Sequence, residues 1–177
     1  MIGRWLAAAL LASLAGCASP PLQPGETAWT TGRLSLRVEA LGERPAQNLS
    51  AAFELRGNAD SGGSGELRLI SPLGTVLASA RWQPGLAVAR TSEGERQFPS
   101  LDELSRQTLG EALPLTALPD WLAGKPWPGA PFETQADGFV QLGWRVLTSR
   151  LAEGWISARR DAAPAVDLRV RLDSTQP

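Results

Sequence analysis

Gly32-Arg33-Leu34-Ser35-Leu36-Arg37-Val38 is the stretch of sequence that decides the fold. Leucine or valine occupies every second position from Leu34, and arginine or serine occupies the positions between. A period of two predicts a β-strand with one buried and one solvated face, because successive side chains of a strand point to opposite sides. The same alternation recurs at Leu49, Ala51, Phe53 and Leu55. This part of the chain is therefore predicted to build an antiparallel sheet.

Further predicted strands follow on short connections. Residues 65–70, 75–82 and 86–91 have strand character, and turn signals separate them at Ser71-Pro72-Leu73-Gly74 and at Gln83-Pro84-Gly85. Strand character returns later in the chain, at residues 139–147, 154–159 and 166–172. Successive strands on short connections predict an antiparallel meander within one domain.

The middle of the chain has a helical pattern instead. Ser100 is a good N-cap, and Glu103 is placed three residues later as its capping-box partner. Leucines recur at roughly helical spacing from there until Gly110, which ends the predicted helix. A second short helix is predicted over residues 118–123. The domain is therefore expected to be mainly β, with short helices between two groups of strands.

The helical stretch is strongly apolar and rich in proline. Its large apolar side chains are Leu113, Leu115, Leu118, Trp121, Leu122, Trp127 and Phe132. The residues alone leave two interpretations open: these side chains fill the sheet as ordinary core, or they form a movable cover over an apolar interior. Short helices broken by proline are suited to move, and an apolar barrel interior is suited to a hydrophobic ligand. The second interpretation predicts a half-open antiparallel barrel with a helical lid.

The N-terminal residues have the layout of a secretory signal peptide. Arg4 precedes an apolar run that ends in Leu14-Ala15-Gly16-Cys17, and Cys17 is the only cysteine of the sequence. Small residues before a cysteine are typical of a bacterial lipobox, in which the cysteine is acylated and begins the mature chain. The alternative is an ordinary signal peptide with a chance cysteine. We expect a signal peptide at 1–16, a lipidated cysteine and flexible proline-containing tether at 17–28, and the domain at 29–177.

The composition argues against several classes of function. The sequence has no histidine and no tyrosine, so the usual general base near neutral pH and the commonest metal ligand are missing. Carboxylate catalysis stays open, but no pattern favours it. Loss of Arg4 with the signal peptide would change the formal net charge from −1 to −2, which leaves no basic surplus for binding phosphates. We therefore expect that the protein is not an enzyme and that it binds no metal ion, cofactor or nucleic acid.

Several short motifs follow one another in a recognisable order after the lipobox. They are Gly32-Arg33-Leu34, Ser71-Pro72-Leu73-Gly74, Leu101-Asp102-Glu103-Leu104, Leu109-Gly110, Leu113-Pro114-Leu115, Trp121-Leu122-Ala123-Gly124 and Gln141-Leu142-Gly143-Trp144. In order and spacing the sequence resembles the LolB family, and the resemblance covers nearly all of the mature chain. The family often closes with a tryptophan after its last strand, whereas this chain ends without one at residues 173–177.

The resemblance implies an incomplete antiparallel β-barrel wrapped around short helices. It implies a receptor that takes acylated lipoproteins from the periplasmic carrier LolA in a hydrophobic cavity and incorporates them into the inner leaflet of the outer membrane. The protein would be a monomer, held by lipid in the outer membrane and facing the periplasm. The alternative function is a structural or assembly lipoprotein that binds protein partners without an acyl cavity.

The resemblance also implies site residues. In the family, an exposed leucine at the tip of a Pro-Leu-Gly turn inserts cargo into the membrane, and Pro72, Leu73 and Gly74 form that turn here. The alternative is that Leu73 folds back onto the sheet. Candidate contacts for acyl chains are the residues predicted to face inward: Leu36, Phe53, Leu69, Leu115, Trp121, Leu122 and Trp144.

Docking of the carrier through positive charge is a further hypothesis from the residues. Arg68, Arg81 and the pair Arg159-Arg160 are the candidates. The simpler interpretation is that these are solvated surface charges, as most arginines on a strand's outer face are.

Overall fold

A computed structural model describes residues 28–57 and 63–174 of the chain. The expected signal peptide, Cys17 and nearly all of the tether therefore lie outside the described residues. The described elements are β1 (Thr30–Val38), β2 (Gln47–Gly57), β3 (Gly65–Ile70), β4 (Val76–Gln83), β5 (Leu86–Thr91), β6 (Gly94–Phe98), α1 (Leu101–Leu109), α2 (Leu118–Leu122), β7 (Phe132–Gln135), β8 (Gly138–Gln141), β9 (Trp144–Leu147), a 3₁₀ turn (Leu151–Glu153), β10 (Trp155–Arg160) and β11 (Val166–Leu172).

All the described strands belong to one antiparallel sheet. Its spatial order is β6-β5-β4-β3-β2-β1-β11-β10-β9-β8-β7, so two runs of hairpins meet where β1 pairs with β11. In the described part of the chain the edge strands β6 and β7 do not pair with each other, and the sheet stays open. The prediction of a mainly β fold with an incomplete antiparallel barrel is confirmed.

Strand β1 shows how the alternating sequence produces this sheet. Leu34, Leu36 and Val38 are buried on its inner face, and Ser35 and Arg37 between them are exposed. Burying a leucine contributes about 1.5–3 kcal/mol, so a register slip of one residue would expose three large apolar side chains at once. The alternation therefore fixes both the inner face and the pairing of β1 with its neighbours.

Helix α1 begins and ends at the predicted residues. The Ser100 hydroxyl oxygen accepts a hydrogen bond of 3.1 Å from the backbone N–H of Glu103, and Gly110 ends the helix with a φ of +73° that favours glycine. The Glu103 carboxylate accepts from Arg106 and Gln107 on the next turn. The expected N-cap is confirmed. The Glu103 carboxylate contacts Arg106 and Gln107 in place of the backbone N–H of Ser100, which it would accept from in a capping box.

The two helices lie in the connection between the edge strands. Residues 99–131 lead from β6 to β7 and carry α1 and α2 across the inner face of the sheet. Leu104 from α1 and Leu118, Trp121 and Leu122 from α2 are buried in one apolar cluster with the inward residues of the strands. No helix within residues 28–57 and 63–174 has both the length and the apolar character needed to cross a bilayer.

The structure corrects the prediction of one strand over residues 139–147. This stretch forms β8 and β9, which are joined by a tight turn at Leu142 and Gly143 with φ values of +54° and +76°. Two successive positive φ values are typical of a type I′ hairpin turn. Strands β6 and β7 were not predicted, and most of their residues are exposed and polar, without an alternating apolar face.

Candidate functional site

An apolar cavity of about 290 Å³ lies between the inner face of the sheet and the helical connection. This volume is near the lower end of the range of small-molecule sites in proteins, about 300–1,000 Å³. Strands β1 to β5 and β11 supply the floor and walls: Leu34, Leu36, Leu49, Leu67, Leu69, Ala78, Ser79, Ala80, Ala89, Thr91 and Leu168. Every one of these side chains except Ser79 and Thr91 is aliphatic.

The helical connection closes the cavity from the other side. Its lining residues are Leu104, Ser105, Thr108, Leu109, Leu113, Pro114, Leu115, Leu118 and Trp121, and Trp144 of β9 completes the wall. The Ser105 hydroxyl donates to the carbonyl of Asp102 and accepts from the N–H of Leu113, and Thr108 donates to the carbonyl of Leu104. These hydroxyls are already hydrogen-bonded within the protein. The helical connection (residues 99–131), called the cover below, therefore adds almost no polar group that could orient a ligand.

Five of the seven predicted cavity residues lie together in this lining. They are Leu36, Leu69, Leu115, Trp121 and Trp144. Phe53 and Leu122 are instead buried in the apolar cluster, 2 % and 3 % exposed, and do not belong to the lining. All seven face inward, and contact with acyl chains remains a prediction for the five.

Sequence reasoning missed most of the alanines and leucines of the lining. Ala78, Ala80 and Ala89 have side chains too small to suggest a site, yet their size leaves the space that larger residues would fill. Leu67 is two residues before Leu69 on β3, so both side chains point to the same face of the sheet. This alternation was the signal that would have identified Leu67 as a lining residue.

Gln141 is a buried polar residue that fastens the cover to the sheet. Its side-chain oxygen accepts from Trp121 Nε1 at 2.8 Å and from the N–H of Trp127 at 2.9 Å, and its amide group donates to the carbonyls of Trp127 and Ala130 at 2.7 Å each. Gln141 is only 1 % exposed. All its hydrogen-bonding capacity is used, which holds α2 and the following loop on β8.

Glu111 fastens the other part of the cover by charge. Its carboxylate lies 2.9 Å from the guanidinium of Arg160 at the end of β10 and 3.6 Å from that of Arg44 in the turn after β1. Arg44 also donates to the carbonyl of Gly110. The C-terminal end of α1 is therefore tied to two separate parts of the sheet, through ion pairs rather than through apolar packing alone.

The turn at Ser71-Pro72-Leu73-Gly74 holds a leucine away from the domain. The Ser71 carbonyl accepts from the N–H of Gly74 at 2.9 Å, and the Ser71 hydroxyl oxygen accepts from the N–H groups of Leu73 and Thr75. Gly74 has a φ of +82°, which favours glycine. Leu73 is 93 % exposed. It therefore does not fold back onto the sheet.

The apolar surface continues from this turn towards the cavity. Val76 and Leu77 are also exposed, and an irregularity of the register opposite Leu69 and Ile70 leaves Leu77 without a partner on β3. The next pair along the ladder, Leu69 and Ala78, belongs to the cavity lining. The β3–β4 hairpin thus carries apolar side chains from its tip at Leu73 to the cavity wall.

The arginines considered for carrier docking differ in their surroundings. Arg68 is paired with Glu66 at 2.9 Å and with Glu54 at 3.2 Å, and Arg160 is paired with Glu111. Arg159 is exposed beside Asp161, and Arg81 is exposed. Arg68 on β3 and Arg81 on β4 are diagonal neighbours, because Arg68 is opposite Ser79 and Arg81 is opposite Glu66, whereas Arg159 and Arg160 lie on β10. The described residues also contain no cluster of acidic or cysteine side chains that could hold a metal ion.

Comparison with known proteins gives a consistent result. The family model described as "Outer membrane lipoprotein LolB" matches residues 27–171. A protein named outer-membrane lipoprotein LolB from Bordetella pertussis is 37 % identical over 98 % of this chain and 94 % of its own length. Proteins of the same name from Bordetella petrii and Halorhodospira halophila are 34 % and 31 % identical, over 98 % and 99 % of this chain and 92 % of their own lengths. The family resemblance inferred from the sequence is confirmed.

Proposed function

Because this chain belongs to the LolB family of outer-membrane lipoproteins, we propose that it is a receptor that accepts acylated lipoproteins and incorporates them into the outer membrane. The observation that carries this function is the cavity, whose lining is almost entirely aliphatic and whose cover is a pair of short helices. A saturated acyl chain has no hydrogen-bonding group, so an aliphatic cavity with paired hydroxyls matches its chemistry. A scaffold without a ligand site would not need this space, and that alternative is not favoured.

The β3–β4 hairpin is the proposed contact with the acceptor bilayer. An exposed leucine on a rigid turn gains about 1.5–3 kcal/mol at most when it enters hydrocarbon. This is too little to anchor the domain, but it is enough to favour orientations in which Leu73 touches the membrane. Since the same hairpin reaches the cavity wall at Leu69 and Ala78, cargo would leave close to the point of contact.

Cys17 is the proposed anchor. The lipobox supports acylation of its thiol and a mature protein that begins at this residue. Each buried methylene stabilises membrane attachment by about 0.8 kcal/mol, so several acyl chains hold a protein far more firmly than Leu73 does. In this proposal the lipid attaches the protein to the outer membrane, and the domain faces the periplasm and acts as a monomer.

LolA is the proposed donor of cargo. Transfer of cargo needs no ATP if the affinity for acyl chains rises at each step, from the donor to this cavity and from the cavity to the lipid bilayer. The lining is almost entirely apolar, and the hydroxyls of Ser105 and Thr108 in it are already hydrogen-bonded within the protein, which supports a weak, unselective acyl site that suits onward release.

The proposal is tested by transfer of a labelled lipoprotein. Purified carrier loaded with cargo is mixed with a soluble Cys17→Ala form of this protein, and the transferred cargo is then presented to vesicles. We expect cargo to pass to this protein and to displace a fluorescent apolar probe from its cavity. Retention of both cargo on the carrier and probe in the cavity would overturn the receptor function.

A further inference from the structure

The large apolar side chains that are exposed in the described part of the chain all lie at one end of the sheet. Strands β1, β3 and β8 run in the same direction, so the turns that follow them lie at the same end. Leu41 follows β1, Leu73 follows β3 and Leu142 follows β8, while the other members begin β4 or β7 at this end. The full set is Leu41, Leu73, Val76, Leu77, Phe132 and Leu142. Single exposed apolar residues are common on protein surfaces, but their collection at one end indicates a contact surface.

The turns of the β3–β4 and β8–β9 hairpins have the same Leu-Gly arrangement. Gly74 follows Leu73 and Gly143 follows Leu142, and the two glycines have φ values of +82° and +76°. A β-carbon added to either glycine would have no atom within 4 Å, so both turns project from the domain. The β8–β9 turn therefore matches, in sequence and in exposure, the turn that we propose to touch the membrane.

Leu142 has a backbone conformation that leucine rarely adopts. Its φ of +54° belongs to the first central position of a type I′ turn, where asparagine, aspartate or glycine is favoured. Leucine is unfavourable there, and about half of its side chain is exposed, so burial offsets little of this cost. Strained residues at exposed positions are found where they serve a function. The sequence thus keeps an apolar side chain at this tip at the expense of stability.

The surroundings of both turns allow them to enter an apolar layer. Residues 69–80 carry no charged side chain around the first turn, and neither do residues 138–144 around the second. The charged residues next to the β8–β9 turn are Arg145 and Glu133, and both lie opposite Val140, two residues before the leucine. Entry of the turn itself into hydrocarbon would therefore bury no charge.

We propose that Leu142 is a second contact with the acceptor bilayer, together with Phe132, whose partner in the ladder is the residue before Leu142. The inference rests on the proposed contact of Leu73 with the membrane. Strands β2, β1, β11 and β10 lie between the two hairpins, so the contacts belong to opposite halves of the sheet. One leucine leaves the domain free to tilt about a point. Two separated contacts fix which end of the sheet faces the lipid, and the first raises the effective concentration of the second.

A protein surface is the other occupant that an exposed apolar turn suits. The bilayer is favoured because Leu142 shares its end of the sheet, its Leu-Gly turn and its uncharged surroundings with Leu73. Docking of the periplasmic carrier at this turn is therefore an outcome that the experiment must separate from contact with lipid.

The experiment compares vesicle binding, delivery and stability of variants at position 142. The soluble Cys17→Ala form is mixed with vesicles of phosphatidylethanolamine and phosphatidylglycerol, and the bound fraction and the rate of cargo delivery are measured. We expect Leu142→Asn to weaken binding and to slow delivery by about three- to tenfold each, while its melting temperature rises. Leu142→Gly also removes the side chain and accepts the positive φ, so it should lose binding to a similar extent.

The matched control makes the same kind of substitution at the opposite end of the sheet. Ala136 is exposed in the β7–β8 turn, and Ala136→Asn should bind vesicles and deliver cargo as the parent does. An equal loss in this control would overturn the proposal, because the effect would not depend on the end of the sheet.

The variant Leu73→Glu separates failure of this inference from failure of the proposed membrane contact. If Leu73→Glu weakens vesicle binding and both variants at position 142 do not, the second contact is overturned and the first stands. If no variant weakens binding, both contacts are overturned. If Leu142→Asn binds vesicles normally but takes up cargo more slowly from the carrier, Leu142 belongs to carrier docking and its contact with the bilayer is overturned.

Discussion

Trp121 donates a hydrogen bond of 2.8 Å from its indole nitrogen to the side-chain oxygen of Gln141, which fastens helix α2 to strand β8. Gln141→Leu removes this bond and three others, and it leaves buried polar groups of Trp121, Trp127 and Ala130 without a partner. We expect a loss of about 2–5 kcal/mol in the free energy of unfolding. Urea denaturation of the variant measures it. Gln135→Leu, on the exposed strand β7, is the control and should change stability little.

Leu73→Glu tests the contact of the β3–β4 hairpin with lipid. A charged carboxylate at the tip does not enter hydrocarbon, so we expect delivery of bound cargo to vesicles to slow by about tenfold or more. Uptake of cargo into the cavity should be unchanged, because Leu73 is exposed and not part of the lining. Leu73→Phe, which stays apolar, should deliver cargo normally. Normal delivery by Leu73→Glu would remove this residue from the mechanism.

Glu111→Gln tests whether ion pairs restrain the helical cover. The substitution weakens the ties to Arg160 and Arg44 while the apolar packing of the cover stays in place. We expect uptake of a fluorescent apolar probe to become about two- to tenfold faster, since a partly buried ion pair contributes on the order of 1 kcal/mol. Stopped-flow mixing measures the rate. Glu103→Gln, whose side chain pairs only within α1, is the matched control; an equal acceleration in both variants would contradict the prediction.

Leu142→Asn should stabilise the domain. Leu142 is the one non-glycine residue with a positive φ among the described residues, and it is 47 % exposed, so its side chain gains little from burial. Asparagine tolerates the left-handed conformation better than leucine does. We expect a gain of about 0.5–1 kcal/mol in the free energy of unfolding, and no gain for Leu142→Ala. A lower melting temperature for Leu142→Asn would show that the leucine stabilises the turn by a contact.

Glu66 makes stability depend on pH. Burial alone would raise the pKa of its carboxyl group, but hydrogen bonds from Arg56 and Arg68 and their positive charges outweigh burial and hold the pKa below the ordinary value of 4.5. Because the folded-state pKa is lowered, this stabilisation is present above pH 4.5 and is lost as the pH falls through the folded-state value.

Glu66→Gln therefore should cost about 1–3 kcal/mol at pH 7, and the difference from the parent should shrink below pH 4.5. Denaturation at a series of pH values measures this. Glu95→Gln, which breaks an exposed pair with Arg90, should have little effect at any pH. A difference that stays constant down to pH 3 would assign the effect of Glu66→Gln to packing instead.

Local sequence patterns predicted the parts of the fold that carry a strong chemical signal. Alternation identified the inner faces of β1 and β2, and Ser100 and Gly110 marked the ends of α1. The turn at Leu142 and Gly143 was missed because leucine rarely adopts a positive φ, so a strand was the better local interpretation. Pairing with β5 and β8, rather than an alternating pattern, holds the polar strands β6 and β7 in the sheet.

The cavity was only partly predictable for a similar reason. Parity along a strand says which side chains face inward, but it does not say which of them have a neighbour in front of them. Phe53 and Leu69 are paired residues on adjacent strands with the same orientation, yet Phe53 is packed in the core and Leu69 faces the cavity. Which of two inward residues borders the cavity depends on what packs in front of it, and strand parity carries no information about that.

The unpaired edges of the sheet also affect how much the cavity can hold. Since β6 and β7 share no ladder of hydrogen bonds in the described residues, they can separate without breaking a backbone bond. The connection 99–131 joins these two edges, so any separation also shifts the helices that it carries. A change in the curvature of the sheet would thus also change the distance between the sheet and the helices above it. The cavity volume of 290 Å³ therefore belongs to one arrangement of the sheet and the helical connection, and a change in either would alter it.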